Sequence, residues 1–136
     1  LDIGRCVRAG LGALDATARL LTSLEGLQCL NLSHVPMATR YQLALCEAVG
    51  GHPNISTVNF ADTGLGGTYF AKQCIKSILV SKSLRTLDLS WNCFTTDVFN
   101  CLGENLVANN TLRSLCVANC SATIEGGDTP VAIFIE

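Results

Sequence analysis

The sequence predicts an α/β solenoid: a curved right-handed β-α superhelix with parallel strands on a concave face and helices on a convex one. Three observations predict it. A spaced apolar pattern recurs four times, its copies lie 28, 29 and 28 residues apart, and apolar pairs at helical spacing fall between them. The copies are Leu27-x-x-Leu30-x-Leu32, Ile55-x-x-Val58-x-Phe60, Leu84-x-x-Leu87-x-Leu89 and Leu112-x-x-Leu115-x-Val117. A period of that size means one supersecondary unit stacked repeatedly, because a single unit has no way to bury its own apolar face.

Each copy is read as a short strand. Side chains alternate along a strand, so positions one, four and six of the pattern point into the core, while three, five and seven point outward. Between strands, Leu45 with Val49, Cys74 with Ile78, and Leu102 with Leu106 stand ten and six residues before the next copy. These i, i+4 pairs predict helices facing the sheet. Breakers mark the junctions: Gly50-Gly51-His52-Pro53-Asn54 before the second strand, Asn109-Asn110 before the fourth, and Gly64-Leu65-Gly66-Gly67 after the second. Right-handed helical crossovers between successive parallel strands complete each unit.

The third copy runs on as Leu84-Arg-Thr-Leu87-Asp-Leu89-Ser-Trp-Asn92-Cys-Phe94. It resembles a leucine-rich repeat, LxxLxLxxNxL, and the period of 28 or 29 resembles the long ribonuclease-inhibitor type. The resemblance implies a ladder residue at position nine, where an asparagine bonds neighbouring loop backbone. This chain offers Cys6, Val35, Thr63, Asn92 and Cys120 there. Only Asn92 supplies the amide. Val35 followed by Pro36 has no side-chain donor, so that loop is expected to leave backbone groups to water.

The predicted domain organisation is one repeat domain over residues 1–136, with about four to five units. Leu1, Ile3 and Cys6 fit the end of a pattern, and residues 128–136 read as the start of another helix. The chain is therefore expected to be a piece of a longer array, monomeric or weakly associated end to end through a strand at Leu1 to Ile3.

Residues are 49% apolar and 15% charged, a balance that suits an extended solenoid core. No apolar stretch approaches the ~20 residues that span a bilayer, so membrane insertion is not expected. The net charge is −2 and the basic residues are scattered, which lacks the footprint of a nucleic-acid binder. Eight cysteines contain no C-x-x-C pair. Cys46, Cys74 and Cys101 fall in the helical segments as small hydrophobes, so reduced thiols and an intracellular, cytoplasmic location are expected. The sequons at Asn31, Asn54, Asn109 and Asn119 are read as chance matches.

Function is expected on the concave face. Trp91, the only tryptophan, stands at position eight, in one row with Arg5, His34, Asp62 and Asn119. Tryptophan is enriched in interface hot spots, so this row is a candidate stripe for a protein partner. A second row, Asp2, Asn31, Asn59, Asp88 and Cys116, is read as solvated polar spacers, since Asp2 and Asp88 stand too far apart to share an ion. Arg85 and Arg113 share position two and suit an acidic partner. The candidate binding residues are therefore Trp91, His34, Asp62, Asn119, Asp88, Arg85, Arg113 and Asn59.

No enzyme, cofactor or metal site is expected. Cys29, His34 and Asp62 have the residue types of a cysteine triad, but an open sheet face does not exclude water and no oxyanion-hole donor is evident. Gly64 to Thr68 lacks the spacing of a phosphate loop. The leading expectation, implied by the resemblance, is a protein-interaction module. Two alternatives are a GTPase-activating or other enzyme-regulatory role, as in the related Ran GTPase-activating proteins, and a structural spacer within a larger protein.

Overall fold

The computed structural model describes residues 13–67 and 69–120. The readings placed on Leu1, Asp2, Ile3, Arg5 and Cys6, and on residues 128–136, lie outside them. The order of elements is α1 (Ala13–Ser23), β1 (Cys29–Asn31), α2 (Thr39–Gly51), β2 (Thr57–Asn59), a 3-10 turn (Leu65–Gly67), α3 (Ala71–Leu79), β3 (Thr86–Asp88), α4 (Thr96–Ala108) and β4 (Ser114–Cys116). This is an α/β arrangement in which the sheet runs β1-β2-β3-β4, every pair parallel.

The register is the one the repeated pattern demands. Leu30 pairs with Val58, Val58 with Leu87, and Leu87 with Leu115. A slip of one residue would turn these side chains to the other face, so burial of the fourth position fixes the pairing. Pairing also extends beyond the three-residue strands. Gln28 O accepts from both Ser56 N and Thr57 N before the strands, and Leu32 N donates to Asn59 O after them. The same bonds recur between β2 and β3 and between β3 and β4.

One core lies between the sheet and the helices, which pack α1 on α2, α2 on α3 and α3 on α4. From the strands and the residue after each it takes Leu30, Leu32, Val58, Phe60, Leu87 and Leu89; from the helices it takes the anticipated Leu45, Val49, Cys74, Ile78 and Leu102, with Leu106 partly buried against them. Each fully buried apolar side chain of this size stabilises by roughly 1.5–3 kcal/mol relative to exposure. Phe94 and Phe99 close the core near α4 in an edge-to-face contact, 5.6 Å between ring centroids.

Local signals for the helices are uneven. α4 starts on Thr95, whose side chain accepts from Val98 N, and carries Asp97 in its first turn. α2 and α3 have no side-chain N-cap bond, so packing of their apolar faces carries them. Close approach matters at two glycines. A Cβ on Gly50 would stand 1.8 Å from Ser77 O, and one on Gly66 would stand 2.5 Å from Cys93 O. Any side chain at Gly50 would force the end of α2 off α3.

Candidate functional site

The sheet face ends at the loops that follow the strands, and the loops share one backbone design. His34, Asp62, Trp91 and Asn119, the eighth residues of the four patterns, all have left-handed φ, at 62°, 53°, 61° and 55°. The turn is built from the fifth position. Asn31 Oδ1 accepts from Ser33 N at 3.0 Å, Asn59 Oδ1 from Ala61 N at 2.9 Å, and Asp88 Oδ1 from Ser90 N at 2.9 Å. These are Asx turns. The fifth-position row is therefore not a set of solvated spacers; Asn31, Asn59 and Asp88 are half-buried and shape the loops.

Cys116, at the same place in β4, lacks such an oxygen, and its sulfur lies 3.0 Å from Ser90 Oγ. The seventh position also departs from the outward-facing expectation, for Ala61 and Ser90 are buried. The first three left-handed residues then tie their loops to the next: His34 N donates to Ala61 O, Asp62 N to Ser90 O, and Trp91 N to Ala118 O, all at 2.8–2.9 Å.

At position nine, Asn92 and Cys120 bond backbone of the preceding loop, and Asn92 makes most of the bonds. Its Oδ1 accepts from Thr63 N and Leu65 N, and its Nδ2 donates to Phe60 O and Leu89 O, so one buried amide stitches two loops. Thr63 Oγ1 donates to Phe60 O, and Cys120 Sγ to Leu89 O. One carbonyl of the loop at Val35 is taken from the helix side. Gln42, wholly buried on α2, donates from Nε2 to Met37 O at 2.9 Å and to Gly64 O at 3.4 Å.

A second ladder, missed in the sequence, lies at the turns before the strands. His52 Nδ1 accepts from Asn54 N and Ile55 N, Ser81 Oγ from Ser83 N and Leu84 N, and Asn109 Oδ1 from Thr111 N and Leu112 N. Because Nδ1 accepts, His52 carries its proton on Nε2, which donates to Leu24 O of the preceding turn. The signal was present: His52, Ser81 and Asn109 recur 29 and 28 residues apart, but their chemistry differs.

Of the candidate residues, His34 and Asp62 meet directly, Nδ1 to Oδ2 at 2.9 Å, with side chains 61% and 59% exposed. Trp91 follows Asp62 in the row and is itself 61% exposed; Asn119 comes next, also exposed. Arg85 and Arg113 are exposed neighbours at the opposite ends of their strands, joined by a bond from Arg113 N to Arg85 O at 2.8 Å. Arg85 Nη1 donates to Lys82 O and Leu84 O.

Cys29 stands on β1, and Nδ1 of His34, in the loop that follows, is engaged by Asp62 Oδ2. The buried thiols are shifted in both directions, and the hydrogen bond to Cys46 lowers Cys74. Hydrogen bonding to Cys74, followed by burial, pushes Cys46 well up from the ordinary 9.0, and burial raises Cys101 and Cys120. The glycine loop after β2 forms a tight turn with Leu65 and Gly66 buried, and Leu65 N is taken by Asn92. Among the described residues, no group of three or more His, Cys, Asp or Glu side chains is placed to hold a metal ion, and no helix is long and apolar enough to cross a membrane.

No family model matches the chain, and neither a curated protein nor a solved structure matches it.

Proposed function

We propose that the chain is a leucine-rich repeat solenoid of the ribonuclease-inhibitor type that docks a protein partner on its sheet face, with Trp91 as the anchor. One observation carries this reading. Three of the four left-handed loop positions hold His, Asp or Asn, the residues most tolerant of that conformation, and the fourth holds an exposed tryptophan. A bulky residue there costs of order 1–3 kcal/mol, which burial of its ring does not offset in the free protein. Strain of this kind is typical of functional positions, and tryptophan gives much contact area for little side-chain entropy.

The regular ladders support the same reading, since they hold the row of His34, Asp62, Trp91 and Asn119 on a rigid frame. Low reorganisation cost on binding follows from that rigidity. The reduced, buried thiols fit an intracellular, cytoplasmic setting.

The test is affinity capture from a cell extract with the parent protein and with Trp91→Asn as baits. Asparagine suits the backbone, so the variant stays folded while the ring is lost. Partners held by the parent and released by the variant support docking at Trp91; identical recovery by both baits places the working surface elsewhere.

A further inference from the structure

The charges on the sheet face are not equally engaged. Asp62 is paired with His34, and one oxygen of Asp88 is held by Ser90 N. Arg85 and Arg113, by contrast, have no carboxylate at ion-pair distance among the described residues. They sit side by side on paired strands, where like charges repel. The bonds from Arg85 Nη1 to Lys82 O and Leu84 O fix that guanidinium on the rim and leave its other nitrogens directed at no carboxylate, close to the exposed Lys82.

This basic rim is local. The second positions of the preceding units are Gln28 and Ser56, both neutral, so the cations gather only at β3 and β4. Those are the strand that leads to Trp91 and its neighbour. Six residues separate Arg85 from Trp91, at most about 20 Å of extended chain. Between them Asp88 keeps a second carboxylate oxygen able to accept a backbone N–H, and the small Ser90 and Ala118 leave the path low.

Resting on the docking reading, we propose that the occupant is an extended peptide segment of a partner protein, lying along β3 and β4. Its acidic side chains meet Arg85 and Arg113, and a large apolar side chain about five residues away packs on Trp91. Arginine forks suit carboxylates by two-point bonding. A nucleic acid fits less well, because a continuous run of phosphates would have to pass Asp62 and Asp88 on a chain of net charge −2.

The test is selection of a phage-displayed random dodecapeptide library on the 136-residue protein, followed by fluorescence anisotropy with the enriched peptides made synthetically. The expected peptides carry Asp or Glu separated by about four to six residues from Phe, Trp or Leu. Arg85→Glu with Arg113→Glu should weaken them at least ~tenfold, Lys-for-Glu peptides should recover binding to that variant, and added salt should weaken the parent complex. Arg85→Gln with Arg113→Gln, checked by circular dichroism, guards against misfolding of the charge reversal.

Enriched peptides without acids, insensitive to both arginine pairs but lost with Trp91→Ala, would overturn the acidic occupant and leave docking standing. Peptides insensitive to all these changes would overturn both, and a selection that enriches nothing would overturn the peptide occupant. Tighter, arginine-dependent binding of an oligouridine probe would replace the peptide with RNA.

Discussion

Trp91 and Asn119 occupy the same place in successive loops, with φ of 61° and 55°, and Trp91 N bonds the carbonyl of Ala118 just before Asn119. The backbone asks the same of both residues, but only asparagine meets it at little cost. Trp91→Asn is therefore predicted to stabilise the fold by about 1 kcal/mol, read as a higher urea midpoint at unchanged slope. A lower midpoint would mean that the ring contributes packing to the free protein.

Asn92 is the most heavily used polar side chain of the loops, bonding both its own loop and the one before. Asn92→Ala takes the buried acceptor from Thr63 N and one of two donors from each of Phe60 O and Leu89 O, and a buried group left unpaired costs ~1–3 kcal/mol. A loss of about 3 kcal/mol or more is expected in chemical denaturation. Loss below ~1 kcal/mol would show that water replaces the amide.

Gln42 should behave as a ladder residue although it belongs to a helix. Gln42→Leu preserves size and apolar packing but abandons Met37 O and leaves Gly64 O with Gly67 N alone, so a loss of ~1–3 kcal/mol is predicted. Hydrogen exchange should quicken in the loops at 35–37 and 63–65 before it quickens in the strands. Unchanged exchange there would contradict the role.

Alkaline stability follows from the buried thiols. Cys46, Cys101 and Cys120 have folded-state values raised above 9.0, so the unfolded chain gives up these protons first, while Cys74, lowered by its hydrogen bond to Cys46, offsets part of the effect. Their contribution is complete below pH 9 and is lost as pH rises toward the folded values. The melting temperature should fall between pH 8 and pH 10, and less steeply in Cys46→Ala once its lower starting stability is subtracted. An equal slope in the variant would remove Cys46 as a cause.

Much of the fold was legible because burial of alternate residues leaves few choices. Leu30, Val58, Leu87 and Leu115 pair in the register set by the spacing alone, and Leu45, Val49, Cys74 and Ile78 face the core as their i, i+4 spacing requires. Polar structure was less legible. Gln42 reads as an ordinary helix-surface residue until its carbonyl targets are placed. His52, Ser81 and Asn109 perform one task with three different groups, which hides the repeat. The row of His34, Asp62, Trp91 and Asn119 was visible, but its left-handed backbone was not, since tryptophan argues against it.

The central claim is that the Trp91 ring holds a partner, and the most direct measurement is quantitative mass spectrometry of proteins captured by the parent and by Trp91→Asn under identical conditions. At least one protein should drop tenfold or more on the variant, although the variant is the more stable of the two. Equal recovery of every captured protein by a folded variant would contradict it.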